Sequence, residues 1–178
     1  MQSIYVGVCL KQGNLTKDDY TMIFYNGKIN KALNVCYKAH KGQADKSYVP
    51  YVFHPFMVAN LIDNPTANEI ITALLHDILE DCPEITAQDW FNCYYATLDD
   101  EVKEALNILT HDKELSYDAY IFSISQNKIA TKVKIADLKH NMMLDRLDGT
   151  VHASDVKTLT RYYKYRRALD YLINNGEK

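Results

Sequence analysis

Apolar positions recur every three to four residues along most of this chain, the period of helices that bury one face. Ile29, Ala32, Leu33, Val35, Cys36 and Ala39 fall near one face of a helix over 28–43. After the polar loop "KGQADKSYVPY", a second helix begins at "HPFMVANLI", with Pro55 suited to its first position. The "DNP" break lets Asn64 or Thr66 cap a third helix that runs to about Asp81. On it, Ile70, Ile71, Leu74, Leu75, Ile78 and Leu79 cover one half of the surface. Further helices are predicted over 86–97, 99–110, 117–124, 128–143 and 153–173. Val102, Ala105, Leu106 and Leu109 mark a core face, while the β-branched run "IATKVKI" blurs the helix that contains it. "SIYVGVCL" near the start reads as a short strand or an irregular arm. The pattern predicts an all-α fold with residues 1–27 as an arm of uncertain structure and 28–178 as one helical bundle.

Composition narrows this picture. A chain of 178 residues suits one domain with a real core, and only 6 glycines and 4 prolines favour long helices over many short strands. The formal charge of −3 argues against nonspecific nucleic-acid binding, yet a local basic pocket can still serve a small anionic substrate. Cys9, Cys36, Cys82 and Cys93 form no CxxC pair, so reduced thiols are expected. No apolar run approaches the roughly 20 residues of a membrane helix, and "IYVGVCL" lacks the basic flank of a signal peptide. The expectation is a cytoplasmic protein with neither membrane nor nucleic-acid partner. "RYYKYRR" (161–167) has the look of an RNA-binding stripe, but on a terminal helix it reads as half core and half solvated surface.

The candidate chemistry begins at "LLHDILED" (74–81). In one continuous helix, His76 and Glu80 are a turn apart, as are Asp77 and Asp81, so all four project to one side. The plain alternative is a solvated face, but the strong apolar half suggests a helix buried among others. Such crowding repels unless a cation sits within it. Nitrogen and oxygen donors together suit Mn²⁺, Fe²⁺, Co²⁺ or Zn²⁺ better than Ca²⁺ or Mg²⁺. "YVFHPFMVANLI" supplies His54, and "VKIADLKHNM" supplies Asp137 with Asn141 one turn later. A lone histidine before proline is usually structural, and a lone helical aspartate is usually exposed. The ordered set His…His-Asp…Asp carries the argument.

That set resembles the HD superfamily of metal-dependent phosphohydrolases. "AHKGQ" (39–43), "PYVFHPFMVA" (50–59), "LLHDILED" (74–81) and "KIADLKHNM" (134–142) resemble four successive motifs of the hydrolase domain of RelA/SpoT alarmone enzymes and their small relatives. The resemblance implies an HD-type helical domain holding one Mn²⁺, or another divalent transition metal, at His54, His76, Asp77 and Asp137. It implies that Glu80 and Asp81 orient or activate the attacking water. Asn141 would contact the nucleotide, Lys46 and Ser47 its phosphates, and Lys134 would offset its negative charge. Tyr162 lies near a tyrosine that helps hold the substrate. The implied reaction removes pyrophosphate from the 3′ position of ppGpp or pppGpp, giving GDP or GTP. Two alternatives stand beside it: a phosphatase for another phosphorylated nucleotide, such as NADPH or a deoxynucleotide, and a catalytically idle nucleotide-sensing module. The oligomeric state is left open.

The chain departs from the family in its phosphate loop. Asp45 stands where an arginine is expected and Tyr48 where a glycine is; Met142 and Met143 stand where an arginine often follows the last motif. Lys46, Lys134, Lys139 and Arg146 are the cations near the motifs that could take over, and Asp45→Arg is expected to restore a phosphate contact. Of the remaining histidines, His40 is expected to pack or orient the loop. His140, turned off the Asp137–Asn141 face, is expected to be exposed or to support a ligand from behind. His111 and His152 show no partner in the sequence.

Overall fold

The computed structural model describes residues 26–143 and 155–176. Most of the predicted arm, together with Arg146 and His152, lies outside the described residues. Among the described residues ten helices follow in order: α1 Gly27–Ala39, α2 Phe53–Asn60, α3 Ala67–Leu75, α4 Ile78–Asp81, α5 Pro83–Thr86, α6 Asp89–Ala96, α7 Asp100–Leu109, α8 Tyr117–Ser125, α9 Lys128–Asn141 and α10 Val156–Asn175. Among the described residues the only extended pairing is an isolated bridge between Ala44 and Pro50. No described helix is long and apolar enough to cross a membrane.

Two helices form the hub. α3 packs against α1, α2, α7 and α9, and α9 packs in addition against α2, α7, α8 and α10. Glu69 to Leu75 of α3 are buried all round, as expected of a helix surrounded by others. Thr66 caps it by accepting from the Glu69 N–H, while the Glu69 side chain accepts from the Thr66 N–H, a reciprocal capping box. The expected face of α1 is buried at Ile29, Ala32, Val35, Cys36 and Ala39, and that of α7 at Val102, Ala105, Leu106 and Leu109. The β-branched run of α9 is helical after all, with Ala130, Thr131, Val133, Ala136 and Leu138 inside. Tertiary burial outweighs the small propensity cost of such residues.

Three boundaries differ from the sequence reading. α1 stops at Ala39, and the chain turns through Gly42 at φ 81, a left-handed value that glycine adopts without strain. α2 starts earlier, because Phe53 and His54 donate their N–H groups to Pro50 and Tyr51, which places Pro55 third in the helix. The third predicted helix is interrupted at His76 and Asp77, between α3 and α4. His76 Nδ1 donates to the Ala73 carbonyl at 2.7 Å. In an unbroken helix that carbonyl would receive the Asp77 N–H; a side chain that occupies it interrupts the ladder.

Candidate metal centre and adjoining cleft

α2 delivers His54, the α3–α4 junction delivers His76 and Asp77, and α9 delivers Asp137. Donor atoms of His54, His76 and Asp137 lie within 4.8 Å of one another, and all three residues are buried. His54 Nε2 is 3.2 Å from Asp137 Oδ1 and 3.4 Å from Asp77 Oδ2. His76 Nε2 is 3.1 Å from Asp77 Oδ1 and 4.0 Å from Asp137 Oδ1. The structure thus brings together the four residues that the sequence marks as ligands. The interruption after Leu75 turns both His76 and Asp77 toward this point.

The donors are suited to a cation. Because the Ala73 carbonyl only accepts, His76 must carry its proton on Nδ1. Its buried Nε2 faces two carboxylates and has no hydrogen-bond partner among the described residues. Such an orphaned atom between carboxylates fits a metal ion, and two imidazoles with two carboxylates form a normal transition-metal donor set.

Lys134 Nζ lies 2.9 Å from Asp137 Oδ2. Burial alone would raise the Asp137 pKa, but the Lys134 ammonium and the His54 hydrogen bond outweigh it and hold the carboxyl well below the usual range. Burial likewise opposes the Lys134 charge, and Asp137 more than restores it. Lys134, expected at the substrate, is therefore engaged with a metal-centre carboxylate. Tyr51 donates from its hydroxyl to Asp77 Oδ2 at 2.6 Å, and burial together with the Asp77 charge raises its pKa, so it stays protonated.

A cleft of about 310 Å³ adjoins the cluster, lined by Asp45, Lys46, Tyr51, Asn141, Arg161 and Tyr165 together with Ala44. Asn141 donates to Asp137 Oδ1, as Tyr51 does to Asp77, so two residues of the cleft wall touch the ligand carboxylates directly. The volume falls at the lower end of the range for small-molecule sites. Lys46 and Asn141 lie where the sequence suggested. Tyr162 does not line this cleft; Arg161 and Tyr165, a turn apart on α10, do. The 161–167 stripe contains that i, i+4 pair, but the rotation of α10 that aims it inward has no signal in the sequence. Lys139 is exposed. Ser47 is buried, its N–H donating to Asp45, and its hydroxyl has no hydrogen-bond partner among the described residues.

The acidic pair occupies the outer edge. Glu80 is exposed, and its Oε2 accepts from the His111 N–H at 3.3 Å. Asp81 is raised above the ordinary carboxylate pKa by partial loss of solvent and by the Asp77 and Glu80 charges. His40 is buried as expected, with Nδ1 2.8 Å from Gln43 Oε1 and its ring beside Tyr51, and burial lowers its pKa. His140 is buried rather than exposed, its Nδ1 2.7 Å from His54 Nδ1, so of its two expected positions the one behind a ligand is observed. His111 packs its ring against Tyr120.

The loop departures also find a structural account. Asp45 Oδ1 accepts from the N–H groups of Ser47 at 2.8 Å and Val49 at 3.0 Å. Its carboxylate shapes the loop, and an arginine there could not accept those bonds. Tyr48 follows at φ 62, the left-handed region where glycine is favoured, in keeping with the glycine of the related loops.

No protein-family profile matches the chain. A GTP pyrophosphokinase of Myxococcus xanthus is 32% identical over 125 residues, covering 64% of this chain and 16% of that protein. The bifunctional (p)ppGpp synthase/hydrolase SpoT of Escherichia coli K12 is 31% identical over 124 residues, covering 65% of this chain and 18% of that protein. The chain thus spans less than a fifth of the length of these curated relatives. Among solved structures, a metazoan orthologue of SpoT that hydrolyses ppGpp and plays a role in starvation responses matches with a TM-score of 0.65 at 20% identity, over 86% of this chain and 90% of that one. The described residues form an all-helical fold, similar in sequence to a GTP pyrophosphokinase and to SpoT and in fold to a metazoan SpoT orthologue.

Proposed function

We propose that this domain is a metal-dependent hydrolase that removes the 3′-pyrophosphate of ppGpp or pppGpp. The observation that carries the reading is the continuity of the metal centre and the cleft, through Tyr51 on Asp77 and Asn141 on Asp137. His54, His76, Asp77 and Asp137 would hold the ion, and Mn²⁺ suits their nitrogen and oxygen donors. When bound, such an ion supplies a nucleophilic water near neutral pH and positive charge for the phosphoryl oxygens. Water adds to the phosphorus at the 3′ position, the bond from phosphorus to the 3′ oxygen breaks, and pyrophosphate leaves as the nucleoside oxygen regains a proton. Glu80 or Asp81 accepts the water's proton from the edge of the site. Lys46 and Arg161 in the cleft offset the substrate's charge, Asn141 and Tyr51 are fixed polar contacts, and Tyr165 offers an aromatic face.

The purified protein with Mn²⁺, offered ppGpp, pppGpp, NADPH and deoxynucleotides, is expected to release pyrophosphate from the two alarmones, with products identified by mass. Release of orthophosphate from NADPH or a deoxynucleotide instead would move the assignment to another HD phosphatase, a reading favoured by the carboxylate of Asp45 in the cleft. No turnover of any of them would leave an idle sensing module.

The loop allows a sharper check of substrate charge. Asp45→Asn keeps an oxygen acceptor for Ser47 and Val49 but removes a negative charge from the cleft. It should raise kcat/KM for ppGpp by up to about tenfold, equivalent to roughly 1.4 kcal/mol. Asp45→Arg, which the sequence alone recommended, forfeits both backbone bonds and should not show that gain. Unchanged or lower kcat/KM in Asp45→Asn would mean that the Asp45 charge does not oppose the substrate.

A further inference from the structure

We propose that the groove between α8 and α10 is a second binding site, for a small aromatic anion: a planar ring system that carries one anionic group. The groove encloses about 290 Å³, close to the volume of the cleft beside the metal centre. Both lie against α10, on stripes roughly a quarter turn apart. Arg161 and Tyr165 face the cleft, while Lys164, Arg167 and Tyr171 line the groove. α8 supplies the other wall through Tyr117 and Phe122.

The walls are aromatic and open to solvent. Phe122 is 56% exposed and Tyr171 37%, whereas Ile121 and Ala168, which also line the groove, are buried and close its floor. Aromatic faces left in water beside a concavity form an apolar patch that gains from being covered. The volume falls at the lower end of the range for small-molecule sites, which favours a free ligand over a protein surface.

Charge narrows the ligand further. Lys164 Nζ lies 4.0 Å from the centroid of the Tyr117 ring, held against the wall by a cation–π contact. Arg167 reaches both oxygens of Asp118 through Nη2, at 2.7 and 2.9 Å. A guanidinium presents five N–H donors in a fork, so a contact through one nitrogen leaves it able to take a second anion. Two cations against one carboxylate give the groove a net positive charge, on a chain whose formal charge is −3. One net charge suits one anionic group rather than the paired diphosphates of an alarmone. Lys164 and Arg167 would bridge that group while the ligand's ring lies against Phe122 or Tyr171.

The test is a titration of the full ¹⁵N-labelled chain, followed by its amide spectrum with chelator present so that the metal centre takes no part. Two probes represent the two sources of such a ligand: adenosine monophosphate for nucleotides and indole-3-acetate for aromatic carboxylic acids. At least one should shift the amides of 117–122 and 164–171 saturably, with a dissociation constant on the order of 0.1–1 mM, as fits an open site with few contacts. Adenosine, which lacks the anion, and inorganic phosphate, which lacks the ring, should each bind at least about tenfold more weakly. Phe122→Ser and Lys164→Gln, at exposed positions, should each weaken the probe by about three- to tenfold in a protein whose spectrum is otherwise intact. Saturation by one probe alone assigns the ligand to that source, and saturation by both supports the shared chemistry. No shift over 117–122 with either probe would overturn the inference. So would adenosine or phosphate binding as well as the intact probe, or wild-type affinity in either variant.

Discussion

Asp137→Asn is expected to cost the fold about 3–5 kcal/mol and to abolish metal retention. The stability loss follows from what the substitution leaves behind. The Lys134 side chain is 16% exposed, and its ammonium has Asp137 Oδ2 at 2.9 Å as counter-charge. Removing one member of a buried pair strands the other, and the figure is typical of that event. Urea unfolding with chelator present isolates this term from metal binding, and metal content after dialysis measures the second effect. The pH dependence has a definite sign. The Asp137 pKa is lowered on folding, so its contribution is complete above an unfolded value of about 4 and fades as pH falls through the depressed folded value. The deficit of the variant should accordingly be full near neutrality and shrink in acid. Equal unfolding midpoints in chelator at neutral pH would remove the Lys134–Asp137 pair from the stability of this domain.

The second large effect concerns proton transfer. Glu80→Gln should lower kcat on the alarmone by about 10²–10⁴-fold, the range of a lost general base, while metal content stays at the wild-type level. A glutamine can still accept the His111 N–H that Glu80 Oε2 takes at 3.3 Å, so the loop beyond α7 keeps its anchor. Asp81→Asn is the companion variant, since partial loss of solvent and the charges of Asp77 and Glu80 raise the Asp81 carboxyl above its ordinary pKa. Full activity in Glu80→Gln with a large loss in Asp81→Asn would transfer the role to Asp81. Full activity in both would leave the acidic pair without a part in the reaction.

The helical architecture and the residues that cluster at its centre were legible because both are written in short-range pattern. Apolar spacing marked the buried faces of α1, α3 and α7, and the residue types at 54, 76–77 and 137 marked the centre. What escaped depends on contacts between segments far apart in the chain. The apolar period continues through Ile78 and Leu79, so the interruption at His76 was masked; it arises from one ring nitrogen taking the Ala73 carbonyl. His140 is drawn inside by His54, a partner 86 positions away. Arg161 and Tyr165, rather than Tyr162, reach the cleft because of how α10 is rotated against the bundle, which local sequence does not encode. Asp45 looked like a charge out of place when compared position by position. Its two backbone bonds show it as the acceptor that shapes the loop.

The spread of the proposed ligands over α2, the α3–α4 junction and α9 would tie occupancy to cooperativity. No single hairpin or helix pair contains the whole donor set, so a partly unfolded chain offers an ion at most a fragment of its site. Binding to the native state alone draws the folding equilibrium toward it, by about 2.7 kcal/mol when free ion is at a hundred times its dissociation constant. That increment is shared by the three segments that carry the donors rather than by one of them. Opening of α2 away from α9 would therefore be suppressed along with global unfolding, and loss of the ion would loosen the centre of the bundle before its periphery.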